Sequence, residues 1–374
     1  MKSSDLREQC AAKLSGAHER TKSLTAFVGL DGFVDEIIHV VDKRENAESF
    51  QRVPTIAQLA ERIAGAAGKS TNIELVTQRT KLGGNGPIMA NALASFGMKV
   101  TYLGALGYPT MHPVFNAFAE RAEVHTIAEA GRTDALEFDD GKVMFGKTVQ
   151  LSELTWENIQ KRFGRDHFAT KFADSDLVAF VNWTMIPYMS DLWDALLHSL
   201  CPGLAGPRRK IFFDLADPEK RNHKDILRAL ELIVQFEKYF DVILGLNEKE
   251  SCEIQEVLGL AAKPQTQEGL ATLAGEIAGC LPINALVIHP VTYALSVSGN
   301  TVDMVEGPFV PRPLITTGAG DHFNSGFCLG KLLRLDNRMC VLTGVAASGY
   351  YVRTGQSPTI AQLVELLRAW PSKK

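Results

Sequence analysis

The chain has 374 residues, 45% of them hydrophobic, which is enough for one large domain or two modest ones with a real core. Its 39 basic and 43 acidic residues are well mixed and give a net charge of −4, which argues against a nucleic-acid surface. The six cysteines form no CxxC pair and are typical of reduced thiols in a cytoplasmic protein. We expect neither a signal peptide nor a membrane span, because no segment approaches about 20 uninterrupted apolar residues.

The first predicted strand, Leu24 to Leu30, follows a predicted helix over residues 4–20 and ends beside acidic residues. Asp31 and Asp35 lie where this apolar strand stops. In open α/β folds the carboxyl edge of the sheet is where ligands bind. Both acids are therefore candidate ligand-binding residues, and ordinary turn acids are the alternative.

A further strand is expected over residues 36–41 and a helix over residues 56–66. The helix runs into Gly65–Ser70 (GAAGKS), which resembles a P-loop only superficially. The first glycine of that motif would fall at Ile63, and a P-loop follows a strand rather than a helix. We therefore interpret Lys69 and Ser70 as a helix end and a loop.

A tight turn, Gly83-Gly84-Asn85-Gly86, precedes a helix that starts at Pro87, since proline suits the first helical turn. A dinucleotide fingerprint would need an apolar strand before the glycines, and residues 78–81 (QRTK) are not one. This excludes the reading as a nicotinamide-dependent dehydrogenase. A helix is also expected from Met111 to Ala122.

Residues 132–149 alternate between apolar and polar and are split by Asp140-Gly141, which predicts a β-hairpin. Together with residues 36–45 the hairpin could form a small sheet beside the main body. From residue 155 onward, apolar strands alternate with amphipathic helices, which predicts a mainly parallel sheet covered on both faces. The strands are Leu177–Val181, Lys210–Asp214, Val242–Leu246 and Ala285–His289, and the helices are Tyr188–Leu200, Asp225–Tyr239, Asn247–Leu258 and Glu268–Ala278.

Polar residues follow two of these strands. Asn247 and Glu250 are three apart at a strand-to-helix junction, so an amide and a carboxylate can face one hydrated Mg²⁺. The same spacing is a helix capping box, which is the structural alternative. Asp214 and Asp217 could join a phosphate–metal network or be loop acids. His289 is expected to end its strand rather than to act in catalysis.

The most informative stretch is Ile315 to Leu333, centred on Gly318-Ala319-Gly320-Asp321. Small residues that open a helix leave backbone N–H groups unpaired, and with the helix dipole these form an anion site. A carboxylate beside such a site suits phosphoryl transfer, because it can take a proton from the attacking hydroxyl. An N-cap with closely packed glycines is the alternative. Helices are expected over residues 340–351 and 360–369.

The segment Thr316–Phe327 (TTGAGDHFNSGF) resembles the C-terminal signature of the ribokinase-like carbohydrate kinases, the pfkB family. Residues 81–109 are similar to the N-terminal signature, and the likeness recurs in order along almost the whole chain. The resemblance implies one three-layer αβα domain over residues 1–374, with a central, mainly parallel sheet. It also implies a small β-sheet lid, formed by about residues 36–45 and 132–149, that covers the substrate and often provides a homodimer contact.

The resemblance further implies transfer of the γ-phosphoryl group of ATP to a hydroxyl of a sugar or a sugar-like or nucleoside-like substrate. In that family the aspartate matching Asp321 is the catalytic base and the backbone of the Gly-Ala-Gly run is the anion hole. The resemblance assigns the other site residues as follows: Asp35, Asp31, Gly83, Gly84 and Asn85 to the substrate, Asn247, Thr317, Ala347 and Tyr351 to the nucleotide, and Asn247 and Glu250 to Mg²⁺.

The chain departs from the family pattern at several positions. Ile88 replaces a usual asparagine, for which Asn85 could supply the amide. Pro290 and Tyr293 replace a Gly-x-x-Gly at the nucleotide, and Ile315 replaces an aspartate linked to a monovalent cation. The changes at these last three positions weaken the case for the usual ATP handling and for potassium activation. They leave open a second reading, a sugar- or nucleotide-binding member with little kinase turnover.

Overall fold

The computed structural model describes residues 3–371. The strands are β1 Thr25–Leu30, β2 Phe33–Arg44, β3 Phe50–Arg52, β4 Leu75–Gly83, β5 Lys99–Gly104, β6 Glu123–Thr126, β7 Gly131–Glu137, β8 Lys142–Lys147, β9 Leu177–Phe180, β10 Arg209–Asp214, β11 Phe240–Leu246, β12 Ala285–Ile288, β13 Tyr293–Ser298 and β14 Thr301–Glu306. The α-helices are α1 Ser3–Gly16, α2 His18–Thr21, α3 Ile56–Ala64, α4 Asn85–Ser95, α5 Asn116–Ala119, α6 Trp156–Ile159, α7 Arg165–Asp174, α8 Met189–Ser199, α9 His223–Phe236, α10 Glu248–Val257, α11 Gln267–Cys280, α12 Ala319–Leu332, α13 Asn337–Thr354 and α14 Ile360–Arg368.

A nine-stranded sheet forms the centre of the molecule, in the order β14-β13-β12-β11-β10-β9-β1-β5-β6. The strands from β12 to β6 are parallel, and β13 and β14 add an antiparallel edge. Alternate residues of β1 enter two different cores: Phe27 packs with residues of α7, α8 and α9, whereas Val28 packs with residues of α1, α4 and α12. The two cores explain why these strands are apolar throughout. The predicted three-layer arrangement is confirmed.

A second sheet of five strands is built around β2, which pairs with β7 in parallel and with β3 and β4 in antiparallel fashion, while β8 completes the hairpin with β7. The hairpin at Asp140-Gly141 is as predicted. Strand β4 was not predicted, because its side chains are polar and mostly exposed and carry no apolar alternation. Its position is set by pairing with Phe33–Val40 of β2.

Other boundaries also differ from the expectation. The prediction of one helix from Met111 to Ala122 is wrong, because the segment contains a 3₁₀ turn at Pro113–Phe115 and the single-turn helix α5. His112 is extended, with φ −67° and ψ 135°, because the ring of a following proline disfavours the helical conformation in the preceding residue. The N-terminal helix breaks at Ala17 into α1 and α2. Among residues 3–371 no helix is both long and apolar enough to cross a membrane.

Candidate active site

The turn before α12 presents backbone donors. Gly318 is the N-cap residue and has φ 93°, a left-handed conformation that glycine adopts without strain. Among residues 3–371 we find no hydrogen-bond partner for the amides of Gly318 and Gly320. Free amides at the positive end of a helix are suited to bind an anion. The turn thus has the donors that the sequence predicts.

Asp321 lies in the first turn of this helix and is only 5% exposed. Its Oδ1 accepts a hydrogen bond of 3.1 Å from Nδ2 of Asn85, which comes from the glycine turn at the start of α4. Burial raises the pKa of Asp321 to about 8, the Asn85 bond lowers it, and the charges of Asp31 and Glu250 add to the increase. The structure therefore joins the two turns that the sequence singled out.

Asp31 is fully buried and caps α4. Its carboxylate accepts bonds from the amides of Asn85 and Gly86, at 2.9 and 2.8 Å, and from Nδ2 of Asn182 at 2.6 Å. Burial raises its pKa to about 6, and these three bonds oppose the increase. Gly84 has φ 97°, and a Cβ there would lie 3.0 Å from Asp31 Oδ2. Asp31 thus supplies the anion that this helix start requires.

Asp35 lies on β2, 4% exposed, beside the first glycine of the same turn. A Cβ on Gly83 would come within 2.4–2.5 Å of the three carboxyl atoms of Asp35, so a larger residue there would displace the Asp35 side chain. Burial raises the pKa of Asp35, and the nearby Lys81 lowers it. Asp35, which the resemblance favours for the substrate, and its rival Asp31 have different environments: Asp31 caps α4, and Asp35 lies on β2 in the small sheet.

Sequence analysis missed His322, which follows Asp321 and is 1% exposed. Its Nδ1 lies 2.7 Å from the carbonyl of Gly318, which can only accept, so Nδ1 carries the proton and Nε2 accepts from the Ser357 hydroxyl at 2.8 Å. The ring stacks on Tyr351 at 3.7 Å, and the Tyr351 hydroxyl donates to Thr317 O at 3.0 Å. Two carbonyls of the turn are thereby held in place. The only sequence signal was a histidine inside the small-residue motif.

The junction after β11 contains the capping box that was the structural alternative. Asn247 Oδ1 accepts from the amide of Glu250, while the two Glu250 carboxylate oxygens accept from the amides of Asn247 and Asp217. Burial, followed by the charges of Glu250 and Asp321, raises the pKa of Asp214 at the end of β10. The Oδ1 of Asn324 is buried there without a hydrogen-bond partner among residues 3–371. Clustered carboxylates with a free amide oxygen are a donor set that fits Mg²⁺.

The remaining nucleotide candidates lie on or near α13. Ala347 is fully buried. A Cβ on Gly326 of α12 would lie 2.8 Å from the Cβ of Ala347, so Ala347 packs α13 closely against α12. His289 ends β12, as expected, and a Cβ on Gly320 would lie 3.0 Å from its ring. Burial lowers the pKa of His289 to about 4, so the ring is neutral beside Gly320.

A cleft of about 1150 Å³ opens between the small sheet, α4 and the loops around Ile315 and Gly355. Ile88, His322 and Tyr351 line the cleft. Its lining also contains basic residues of β4 and β8. The cleft is large enough for a small-molecule ligand.

Solved structures with the same architecture come from kinases. The ribokinase of Cryptococcus neoformans var. grubii in complex with ADP is 19% identical, with a TM-score of 0.62 over 92% of this chain and 98% of that chain. The ribokinase of Arabidopsis thaliana complexed with ribose and ATP is 14% identical, with a TM-score of 0.60 over 92% and 98%. The phosphofructokinase-2 of Escherichia coli with substrates and products is 13% identical, with a TM-score of 0.61 over 93% and 99%. The fold is therefore that of the ribokinase-like kinases.

Comparison with proteins of known activity is more specific. The ketohexokinase of Haloferax volcanii is 28% identical over 347 residues, which cover 92% of this chain and 91% of that protein. The family model for prokaryotic ketohexokinase matches residues 5–370. The chain belongs to the prokaryotic ketohexokinase family and is a carbohydrate kinase of the pfkB type. The predicted family and enzyme class are confirmed.

Proposed function

We propose that this protein transfers the γ-phosphoryl group of ATP to a hydroxyl of a ketohexose, with Asp321 as the general base. The observation that carries the proposal is the hydrogen bond from Asn85 to Asp321. It joins the turn that faces the acceptor to the turn with free amides, so a hydroxyl and a phosphoryl group can meet at one carboxylate. The ketohexose is inferred from the family, and ATP from the ADP and ATP in the ribokinase neighbours.

In this proposal the acceptor is bound by Asp35, Gly83 and Asn85, and its attacking hydroxyl points at Asp321. Asp31 is assigned to holding the amides of Asn85 and Gly86 in position. Asp321 removes the hydroxyl proton as the new P–O bond forms, while the Gly318–Asp321 backbone donates to the charge on the transferring group. The small sheet acts as a lid whose closure excludes water.

Asp321 must be ionised to act as a base, although burial raises its pKa. The bond from Asn85 favours the charged form. Asp214, Glu250, Asn247 and Asn324 would hold Mg²⁺, which supplies positive charge to the phosphates. Any cation at that position also favours ionisation of Asp321, so binding of the nucleotide–metal complex and activation of the base are coupled.

The nucleotide is assigned to the start of α12, with Thr317, Tyr351 and Asn247 near its phosphates. Ala347 is buried between α12 and α13, so its assigned part is to pack the two helices and not to contact the nucleotide. Pro290 and Tyr293 stand where the resembling family has glycines, so the loop after β12 would approach the nucleotide less closely than in that family. The ring of His289 lies beside Gly320, where a Cβ would come within 3.0 Å of it.

The test is a coupled ADP-release assay with ATP and Mg²⁺ over a panel of ketohexoses, aldohexoses, pentoses and nucleosides, with calorimetric binding measured in parallel. Turnover is expected for a ketohexose. Preference for a pentose or a nucleoside would contradict the assignment of the acceptor. Sugar or nucleotide binding without ADP release would favour the second reading, a binding protein of the same fold.

A further inference from the structure

The face of the small sheet that borders the cleft is basic. Asp35 is paired in register with Lys81 and Thr133, Ile37 with Arg79, and Glu137 with Lys142. Directly paired residues share one face of a sheet, so the cations lie on the same face as Asp35. Arg79, Lys81 and Lys142 accordingly line the cleft.

These three cations differ in whether an acidic side chain lies beside them. Lys142 pairs with Glu137 at 3.6 Å, and Lys81 lies beside Asp35. Arg79 is exposed, and its side chain has no hydrogen-bond or ion-pair partner among residues 3–371. Its guanidinium is nevertheless close enough to Tyr351 to lower the pKa of that hydroxyl, against the effects of burial and of Asp321. An unpaired guanidinium thus lines the same cleft as Tyr351.

The cluster is also self-repelling. Burial lowers the pKa of Lys81, and the charges of Lys142 and Arg79 lower it further, while Asp35 raises it. A bound anion would relieve this repulsion, and a guanidinium fork matches the oxygens of a phosphate in two parallel hydrogen bonds.

We propose that Arg79, supported by Lys81 and Lys142, is a phosphate-binding subsite carried by the small sheet, opposite the free amides of α12. This inference rests on the proposed function, because it assumes that a reactant occupies the cleft. The phosphate has two sources: the nucleotide, including its transferring phosphoryl group, or a phosphate already present on a ketohexose acceptor.

The test compares Arg79→Gln and Arg79→Lys with the control Arg132→Gln. Arg132 is exposed on β7 and lies on the opposite face of the sheet from Thr133. Kinetics are measured with ATP and with ketohexoses and their monophosphates as acceptors. A lost charge-assisted pair corresponds to roughly 10–100-fold. If the nucleotide is the source, Arg79→Gln lowers kcat/KM for ATP by that factor with every acceptor. If the acceptor is the source, the wild type prefers the monophosphate and Arg79→Gln removes that preference, with KM for ATP unchanged.

Arg79→Lys should recover only part of the loss, because an ammonium lacks the fork. The subsite is refuted if Arg79→Gln stays within about twofold of Arg132→Gln with all reactants. If the wild type phosphorylates no ketohexose, the proposed function fails, and calorimetric titration with inorganic pyrophosphate tests the subsite separately. Binding that is lost in Arg79→Gln supports the subsite, and equal binding by both proteins overturns it.

Discussion

Helices α4 and α12 begin alike and are used differently. Each has a glycine N-cap with a positive φ, 97° at Gly84 and 93° at Gly318, and neither cap residue supplies a side-chain bond. At α4 the buried carboxylate of Asp31 takes the first amides. At α12 the amides of Gly318 and Gly320 have no partner within residues 3–371, and a carboxylate stands beside them.

The difference shows that the amides of one local motif can be satisfied within the protein in one place and left free in another. A helix start needs an anion or other acceptors for its amides. At the start of α4 the chain provides its own anion, the carboxylate of Asp31. At the start of α12 a bound ligand can supply one. Asn85 connects the two helix starts. Its backbone amide donates to Asp31 at the start of α4, and its side chain donates to Asp321 at the start of α12.

The strongest test of the site at the start of α12 is Asp321→Asn. A positioned general base contributes about 10²–10⁴ in rate, so kcat should fall at least hundredfold. The fold should persist, because asparagine resembles the protonated carboxyl that burial favours. The measurements are ADP release and thermal unfolding. Near-full phosphoryl transfer by this variant would reject the assignment of the base.

The matching test at the start of α4 is Asp31→Ala. It leaves three buried donors unpaired: the amides of Asn85 and Gly86 and the side chain of Asn182. Each unpaired donor costs about 1–3 kcal/mol, so the free energy of unfolding should fall by several kcal/mol in urea titrations. Asp42→Ala, at an exposed position of β2, is the control. A variant as stable as this control would show that α4 does not depend on Asp31.

The pH dependence of kcat/KM tests the same carboxylate in the free enzyme. Asp321 is active when ionised and its pKa is raised to about 8, so kcat/KM should rise up to about tenfold per pH unit below pH 8 and level off above it. Asn85→Ala removes a bond that favours the charged form and should move the rise to higher pH. A profile that stays flat between pH 5 and pH 8 would contradict the raised pKa.

Gly83→Ala probes the acceptor side alone. The new Cβ would lie within 2.4–2.5 Å of the Asp35 carboxyl atoms and must displace that side chain. We expect KM for the acceptor to rise about tenfold, equivalent to a loss of about 1.4 kcal/mol of binding, with KM for ATP nearly unchanged. Gly146→Ala on β8 is the matched control, since its Cβ would meet only Thr148 at 3.8 Å. Equal KM values in the two variants would remove Asp35 from the acceptor site.

The parts of this site that were readable from sequence are those with a local chemical pattern. Gly318–Asp321 and Gly83–Gly86 combine glycines with helix starts, and the apolar runs of β9 to β12 predict the parallel sheet. Strand β4 was not readable, because its place depends on pairing with β2 rather than on its own side chains. The different roles of Asp31 and Asp35 were also not readable, since they depend on the partners that the fold brings to each acid.

His322 is a further case of a residue whose role depends on distant partners, because Ser357 is 35 positions away. His322→Phe keeps a ring on Tyr351 but leaves Gly318 O and the Ser357 hydroxyl without their bonds to His322. We expect a loss of about 1–3 kcal/mol in stability and a smaller fall in kcat than for Asp321→Asn, with KM for the acceptor unchanged.

A double-mutant cycle with Ser357→Ala separates a positioning role from general packing. If His322 acts through the bond of 2.8 Å to Ser357, the two substitutions should be non-additive in both kcat and stability, with a coupling of about 0.5–3 kcal/mol. Additive effects on kcat would mean that the stack on Tyr351 alone holds the turn. In that case the free amides of α12 would owe their orientation to α13 rather than to the polar chain that runs through Ser357 to Asn91.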